Sequence, residues 1–268
     1  MNSLQKHLKI FVINLPEDQQ KKNRIKKLLS KFKFNYEFFR AVNGKDKKIN
    51  NFPGYSDKKR RLFFGRSLLP KELGIFESHK LIYKKIIKNK IKHTLIFEDD
   101  VCFDKNFKYF LFKILDLDYQ WDLIRFISGK KLDNAISRKV IDLSKEHYLK
   151  RFPKLYGGAH AYLISLEGAK KLLELTNNFY YPIDLVMGQT WKNNLNSLIC
   201  NPGLVWQEKE LNIDPPESIR FKKQEKKLLS LYIWTRGWFK IYETASKWIN
   251  YLSWKRRDNL AYKKLDNV

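Results

Sequence analysis

Thr94-Leu-Ile-Phe97 runs straight into Glu98-Asp99-Asp100-Val101. The apolar half reads as a short buried strand. The acidic half places three carboxylates at its end. Their mutual repulsion is unfavourable unless a cation or strong hydrogen-bond donors compensate it. In an open α/β sheet, ligands bind at the carboxyl ends of strands. Continued alternation would point Glu98 and Asp100 one way and Asp99 the other. Hard oxygen ligands of this kind suit Mg²⁺ or Mn²⁺ joined to a diphosphate. Such an ion would steady the charge on a departing nucleoside diphosphate. The bland alternative is a solvated acidic loop tip.

The surrounding segments alternate between strand and helix. Lys9-Ile-Phe-Val-Ile-Asn-Leu15 reads as a buried strand ended by Pro16. Glu17 to Ser30 reads as a helix with Ile25, Leu28 and Leu29 on its apolar face. Phe34 to Val42 is a second strand, closed by the turn Asn43-Gly44. Residues 43–70 form a long loop with a short helix, and a loop of that length in a compact domain is often functional. A helix follows over Leu73 to Asn89. Beyond the acidic stretch come strands at Leu123 to Ile127 and Ala161 to Ile164. Ser165 is placed to cap a helix over Leu166 to Leu175. This alternation over residues 9–175 predicts an α/β domain with a mostly parallel central sheet flanked by helices.

The 268 residues suffice for one large core with a small appendage, and 43% hydrophobic with 15% aromatic content excludes broad disorder. Two cysteines, Cys102 and Cys200, exclude a disulfide-rich scaffold and an all-cysteine zinc site. The opening apolar run is too short for a cleaved signal peptide, and no uncharged stretch is long enough to span a bilayer. The formal charge of +26 exceeds what solubility needs and implies a polyanionic environment: nucleic acid, an anionic membrane or a phosphorylated substrate. Abundant Lys and Asn also fit a bias of base composition.

The last fifty residues differ. Pro215-Pro216 breaks the chain, and Trp234, Trp238, Trp248 and Trp254 fall beyond it among many Lys and Arg. Trp234, Trp238, Ile241, Ala245, Trp248, Ile249 and Leu252 share one helical stripe. A basic helix with a Trp-rich face fits a membrane-interface element; a helix packed on the domain is the alternative. The expected division is a catalytic domain over residues 1–219 and a basic, Trp-rich helical C-terminal segment over 220–268.

Several motifs together resemble glycosyltransferase family 25, the lipooligosaccharide-biosynthesis galactosyltransferase type. They are Phe11-Val-Ile-Asn-Leu15 with Arg24, Leu73-Gly-Ile-Phe-Glu-Ser-His79, Leu95-Ile-Phe-Glu-Asp-Asp-Val101, Gly157-Gly-Ala-His-Ala-Tyr-Leu-Ile-Ser165 with Gly168-Ala169, and Pro182-Ile-Asp184. They occur in family order over about residues 9–220. The resemblance implies a GT-A-like fold, a nucleotide-sugar donor and a divalent metal. Ile75 replaces the usual cysteine. The last histidine is His160, so the late histidine ligand of some GT-A enzymes is absent; either Asp100 and the diphosphate would hold the metal with water, or another side chain would help, with Glu208 and Asp214 as candidates.

The resemblance also distributes roles. Asp99 and Asp100 become the metal and diphosphate pair, and Glu98 a second carboxylate near the metal or sugar. Asn14 would bond the donor's uracil or ribose, or else cap the next helix. Arg24 would reach phosphate or only water. His79 would support the donor or metal site, or be a satisfied core histidine. Gly157 and Gly158 would let backbone approach the donor sugar, with Tyr156 and His160 lining the same pocket; a strand bulge is the alternative. Inversion at the anomeric carbon requires a general base. Asp184 is the first choice, with a helix N-cap as its alternative and Asp122 and Asp214 as runners-up.

The expected function is a metal-dependent inverting transferase using Mn²⁺ or Mg²⁺. It would move galactose from UDP-galactose to a lipid-linked lipooligosaccharide core sugar. It would work in the bacterial cytoplasm, peripheral on the inner face of the inner membrane, held by its basic C-terminal segment to anionic lipid. UDP-glucose or a UDP-N-acetylhexosamine are alternative donors. A nucleic-acid-binding protein, or a non-catalytic membrane-surface scaffold, are alternatives of another class. Clustered carboxylates repel phosphate without a metal, so no nucleic acid partner is expected.

Overall fold

The computed structural model describes residues 8–46, 48, 51–127, 132, 134–153, 157–208 and 229–265. The first strand, β1 (Leu8–Asn14), shows why a sheet buried on both faces forms here. Ile10 and Val12 enter one apolar cluster, and Phe11 and Ile13 enter another on the opposite face. Asp18 accepts the Lys21 N–H and caps α1 (Gln19–Lys31), whose Ile25 and Leu29 are buried. β2 (Glu37–Arg40) then returns parallel to β1. The long loop contains α2 (Asp57–Phe64), capped by Ser56. α3 (Pro70–Lys88) starts with proline in its first turn, where a missing N–H costs nothing.

The acidic stretch lies between β3 (His93–Glu98) and β4 (Val101–Phe103). α4 (Phe107–Leu115), β5 (Leu123–Arg125), β6 (Arg138–Asp142) and β7 (Tyr148–Arg151) follow. Next come β8 (Ala161–Ser165), α5 (Leu166–Leu175) and the single turn α6 (Ile183–Val186). Ser165 caps α5 by accepting the Gly168 N–H at 3.0 Å, as its position predicts. β9 (Ser197–Asn201), β10 (Val205–Gln207), α7 (Leu229–Ser253) and α8 (Lys255–Leu265) complete the order.

The expected mostly parallel, GT-A-like sheet is not what forms. Eight strands are arranged in the order β2-β1-β3-β8-β5-β9-β7-β6. β1–β2, β1–β3 and β5–β9 are parallel, whereas β3–β8, β5–β8, β7–β9 and β6–β7 are antiparallel. The sheet is therefore mixed. Two causes are visible. The short link from β6 to β7 permits only a hairpin, and β8 inserts in reverse between β3 and β5. Helices do cover both faces: α1 and α4 pack on one, α3 and α5 on the other. β4 and β10 form a separate antiparallel ribbon.

Reversal of β8 sets the position of the site. β1, β3 and β5 end at one edge of the sheet, and β8 begins there, since Ala161 pairs with Phe97. The segment before β8 thus reaches the same edge as Asn14 and Glu98.

The C-terminal helices pack on the body of the protein along one side. Phe239 stacks on Phe63 at 4.5 Å between ring centroids. Tyr181 donates to Glu243 at 2.6 Å, and Thr190 donates to Asn250 at 2.6 Å. Asp258 of α8, fully buried, accepts from Arg151 at 2.8 Å and pairs with Arg138 at 3.1 Å. The opposite side of α7 is exposed and apolar. No helix among the described residues is long and apolar enough to cross a membrane.

Candidate active site

Strand β3 delivers Glu98 to the sheet edge, and its N–H is fixed by the carbonyl of His160 at 2.8 Å. A tight turn through Asp99 and Asp100 then sends the chain into β4. The strand does not continue through the acids, and it is this turn that separates the carboxylates. Asp99 turns toward β1, where Asn14 donates to it at 2.7 Å and Lys21 lies 3.9 Å away. Glu98 and Asp100 share one donor: the carboxamide of Gln207, 3.3 Å from Glu98 and 3.2 Å from Asp100. Antiparallel pairing of β4 with β10 places Gln207 there, opposite Val101.

The electrostatics follow from this crowding. Burial, reinforced by the charge of Asp100, pushes Glu98 up to about 7. Burial also raises Asp99 to about 6, against the opposing bond from Asn14 and the charge of Lys21. One neutral amide is a weak counterweight to two carboxylates. Glu98 and Asp100 therefore suit a divalent cation whose remaining ligands come from a diphosphate or water. Among the described residues, no three His, Cys, Asp or Glu side chains gather into a metal-holding cluster.

Two histidines back the acidic pair. His79 of α3 is fully buried; its Nδ1 lies 2.6 Å from the Tyr162 hydroxyl, which in turn meets Tyr83 at 3.1 Å. Burial pushes His79 down to about 3, so it is neutral, and its Nε2, 3.8 Å from Glu98, makes a polar contact and no ion pair. His160 is buried beside the backbone of Val205, and burial lowers its pKa against the opposing charges of Glu98 and Asp100.

The glycine pair forms the next wall. Gly158 has φ +107°, a conformation open to glycine, and a Cβ there would lie 2.9 Å from Ile127 and 3.3 Å from His160. A Cβ on Gly157 would come within 2.9 Å of the Asp184 carboxylate. Asp184 accepts the Gly158 N–H at 3.2 Å and the Leu185 N–H at 2.8 Å. It thus braces both the glycine loop and the first turn of α6. The buried Arg125 guanidinium donates to the Asp184 carbonyl at 3.4 Å.

The structure thus brings Asn14, His79, Glu98, Asp99, Asp100, Gly157, Gly158, His160 and Asp184 to one sheet edge. Arg24 is committed elsewhere: it donates to the Val101 carbonyl at 3.1 Å and pairs with Glu208, bracing the β4–β10 ribbon beneath the acidic turn. Asp122 lies at the far end of β5, bound by Lys171 at 2.6 Å and the Asn196 N–H at 2.7 Å. Tyr156 and Asp214 fall outside the described residues. Both cysteines are free. Gln207 and Arg125 carry no sequence signal: Gln207 ends one short apolar run, Arg125 interrupts another, and only strand pairing reveals their place.

Residues 7–187 match the family model for "Glycosyltransferase family 25 (LPS biosynthesis protein)". A "Glycosyltransferase 25 family member" from Aedes aegypti is 32% identical over 176 residues, covering 62% of this chain and 28% of that protein. "Procollagen galactosyltransferase 2" from Homo sapiens is 30% identical over 176 residues, 61% of this chain and 27% of that protein. A "Probable inactive glycosyltransferase 25 family member 3" from Rattus norvegicus is 28% identical over 181 residues, 61% of this chain and 29% of that protein. The chain spans less than a third of the length of each of these relatives. The match takes in every residue at the sheet edge from Asn14 to Asp184, and the chain belongs to glycosyltransferase family 25.

Proposed function

We propose that this protein transfers galactose from UDP-galactose to a core sugar of a lipid-linked lipooligosaccharide, with inversion at the anomeric carbon. The observation that carries this reading is the pairing of Glu98 with Asp100 at a sheet edge shared with Asp184. Such a site has the parts for handling a nucleoside diphosphate and an acceptor hydroxyl. Glu98 and Asp100 would hold Mn²⁺ or Mg²⁺, which supplies charge stabilisation for the departing diphosphate. Asn14, oriented by Asp99, lies at the end of β1 where it would meet the donor's uracil or ribose. The glycine pair brings bare backbone close to Asp184, where it would approach the donor sugar.

Asp184 takes the proton from the acceptor hydroxyl as that oxygen attacks the anomeric carbon. A new glycosidic C–O bond forms on one face. The old bond to the diphosphate breaks on the other, and its electron pair leaves with UDP. His79 and His160, both held neutral by burial, add no competing charge at this edge. The reading places the protein in the bacterial cytoplasm, at the inner face of the inner membrane where the acceptor resides.

A relative whose name marks it probably inactive supports a second reading, a non-catalytic member with the same site walls. One experiment separates them. Purified protein is incubated with UDP-galactose, UDP-glucose and UDP-N-acetylhexosamines, with Mn²⁺ or with EDTA, and UDP release is measured. Release from UDP-galactose that requires metal and vanishes in Asp100→Asn supports the transferase. Absence of turnover with every donor, despite UDP binding, supports the silent member. Faster release from another sugar replaces galactose in the proposal.

A further inference from the structure

A surface helix normally turns its apolar stripe inward and its charges toward water. α7 has apolar residues on both sides. Its inner side, with Phe239, Glu243 and Asn250, is packed on the protein. Its outer side carries Trp234, Trp238, Ile241, Trp248, Ile249 and Leu252, all exposed; Trp234 and Trp238 are 71% and 69% accessible. These six recur at helical spacing with Ala245 among them, and no charged residue interrupts the row. A contiguous apolar surface of this kind marks an interaction site.

We infer that this outer face of α7 lies in the interfacial layer of an anionic lipid bilayer, with the helix parallel to the surface. Charge singles out this occupant. Arg220, Lys222, Lys223, Lys226 and Lys227 precede the helix in sequence, and Lys255, Arg256 and Arg257 follow it. The last three are exposed. Cations that flank the apolar, Trp-bearing helix in the sequence match the headgroup layer above an acyl boundary. Tryptophan favours that layer because its ring is apolar and its N–H is polar. At the elbow between α7 and α8, an open groove of about 460 Å³ is lined by Leu252, Ser253, Lys255, Arg256, Asn259 and Leu260. There, apolar and cationic groups meet as they do around a lipid phosphate. A second copy of the chain fits poorly, because each copy carries a formal charge of +26 and would bring that charge against itself.

The inference stands on α7 and its flanks, independently of the transferase reading. The full chain is sedimented with vesicles of phosphatidylethanolamine and phosphatidylglycerol, and separately with phosphatidylcholine. Binding to the anionic vesicles, weakened by salt, with a blue shift of tryptophan emission, is expected. Trp234→Ser with Trp238→Ser should lower partitioning about tenfold or more. The triple change Lys255→Gln, Arg256→Gln, Arg257→Gln should lower it and flatten the salt dependence. Circular dichroism and UDP binding of each variant are measured alongside, and both should match the parent. Three results would overturn the inference: no association with anionic vesicles at low salt, equal association of the Trp variant, or a dimer in sedimentation that the Trp variant dissolves. Loss of donor turnover with vesicle binding intact would count against the transferase reading alone.

Discussion

Asp184 accepts the backbone N–H of Gly158 at 3.2 Å, so the candidate base and the glycine loop are locked to each other. Replacing Asp184 by Asn keeps one side-chain oxygen, enough for one of the two N–H groups that its separate carboxylate oxygens accept, and removes the basic charge. Transfer should slow by roughly 10²–10⁴-fold while UDP binding stays nearly constant. Isothermal titration with UDP, paired with product formation on an acceptor, checks both halves. Normal transfer by this variant would end the assignment.

Gly157 and Gly158 fail differently when given a side chain. Gly157→Ala drives a methyl group into the Asp184 carboxylate. Transfer should drop about tenfold or more through misplacement of that group, with little loss of stability. Gly158→Ala forces alanine to φ +107° against Ile127. It should cost about 1–3 kcal/mol of folding stability. Urea unfolding of the two variants separates these outcomes.

Gln207 is the single described side chain that donates to both Glu98 and Asp100. Gln207→Ala leaves that pair without its shared donor, and should lower the stability of metal-free protein by about 1–3 kcal/mol. Added Mn²⁺ should then raise the melting temperature of the variant more than that of the parent. Equal Mn²⁺ responses in calorimetry would refute a cation at this pair.

The pH dependence has two opposing parts. Glu98, pushed up to about 7, holds its proton in the folded state where an unfolded glutamate has lost it. Its contribution therefore falls as pH rises from about 4.5 to 7. His79, pushed down to about 3, is neutral where an unfolded histidine is charged. Its contribution is complete above about pH 6.5 and falls as pH drops below that. Between about 4.5 and 6.5 the two slopes oppose. Glu98→Gln removes one of them. The variant's unfolding free energy, measured in EDTA, should rise with pH more steeply than the parent's, by at most ~1.4 kcal/mol per pH unit. Parallel curves would count against the burial of Glu98 as the cause.

Asp258 is fully buried between Arg151 and Arg138. Asp258→Ala strands two guanidinium groups and should cost about 3–5 kcal/mol. Limited proteolysis should then cut first near α8.

Much of the site was legible because it depends on local pattern. An apolar run meeting three acids marks a strand end whatever the sheet around it; the division of Asp99 from Glu98 and Asp100 comes from the turn after Glu98 and not from continued strand alternation. Strand direction was not legible. β8 follows a loop that, read alone, permits either orientation, and tertiary pairing with β3 and β5 decides it. The short strands β6, β7, β9 and β10 carry only three to five residues each, too few for a periodic signal. Arg24 illustrates the same limit: the sequence offers a cation near phosphate, and only the β4–β10 ribbon shows that Glu208 claims it.

The donor side of this edge is completed by β10, long after β3 in the chain. A nascent polypeptide emerging from the ribosome exposes the acidic turn more than a hundred residues before Gln207 arrives to bridge it. The two acids and their shared donor are therefore brought together only once synthesis has passed β10.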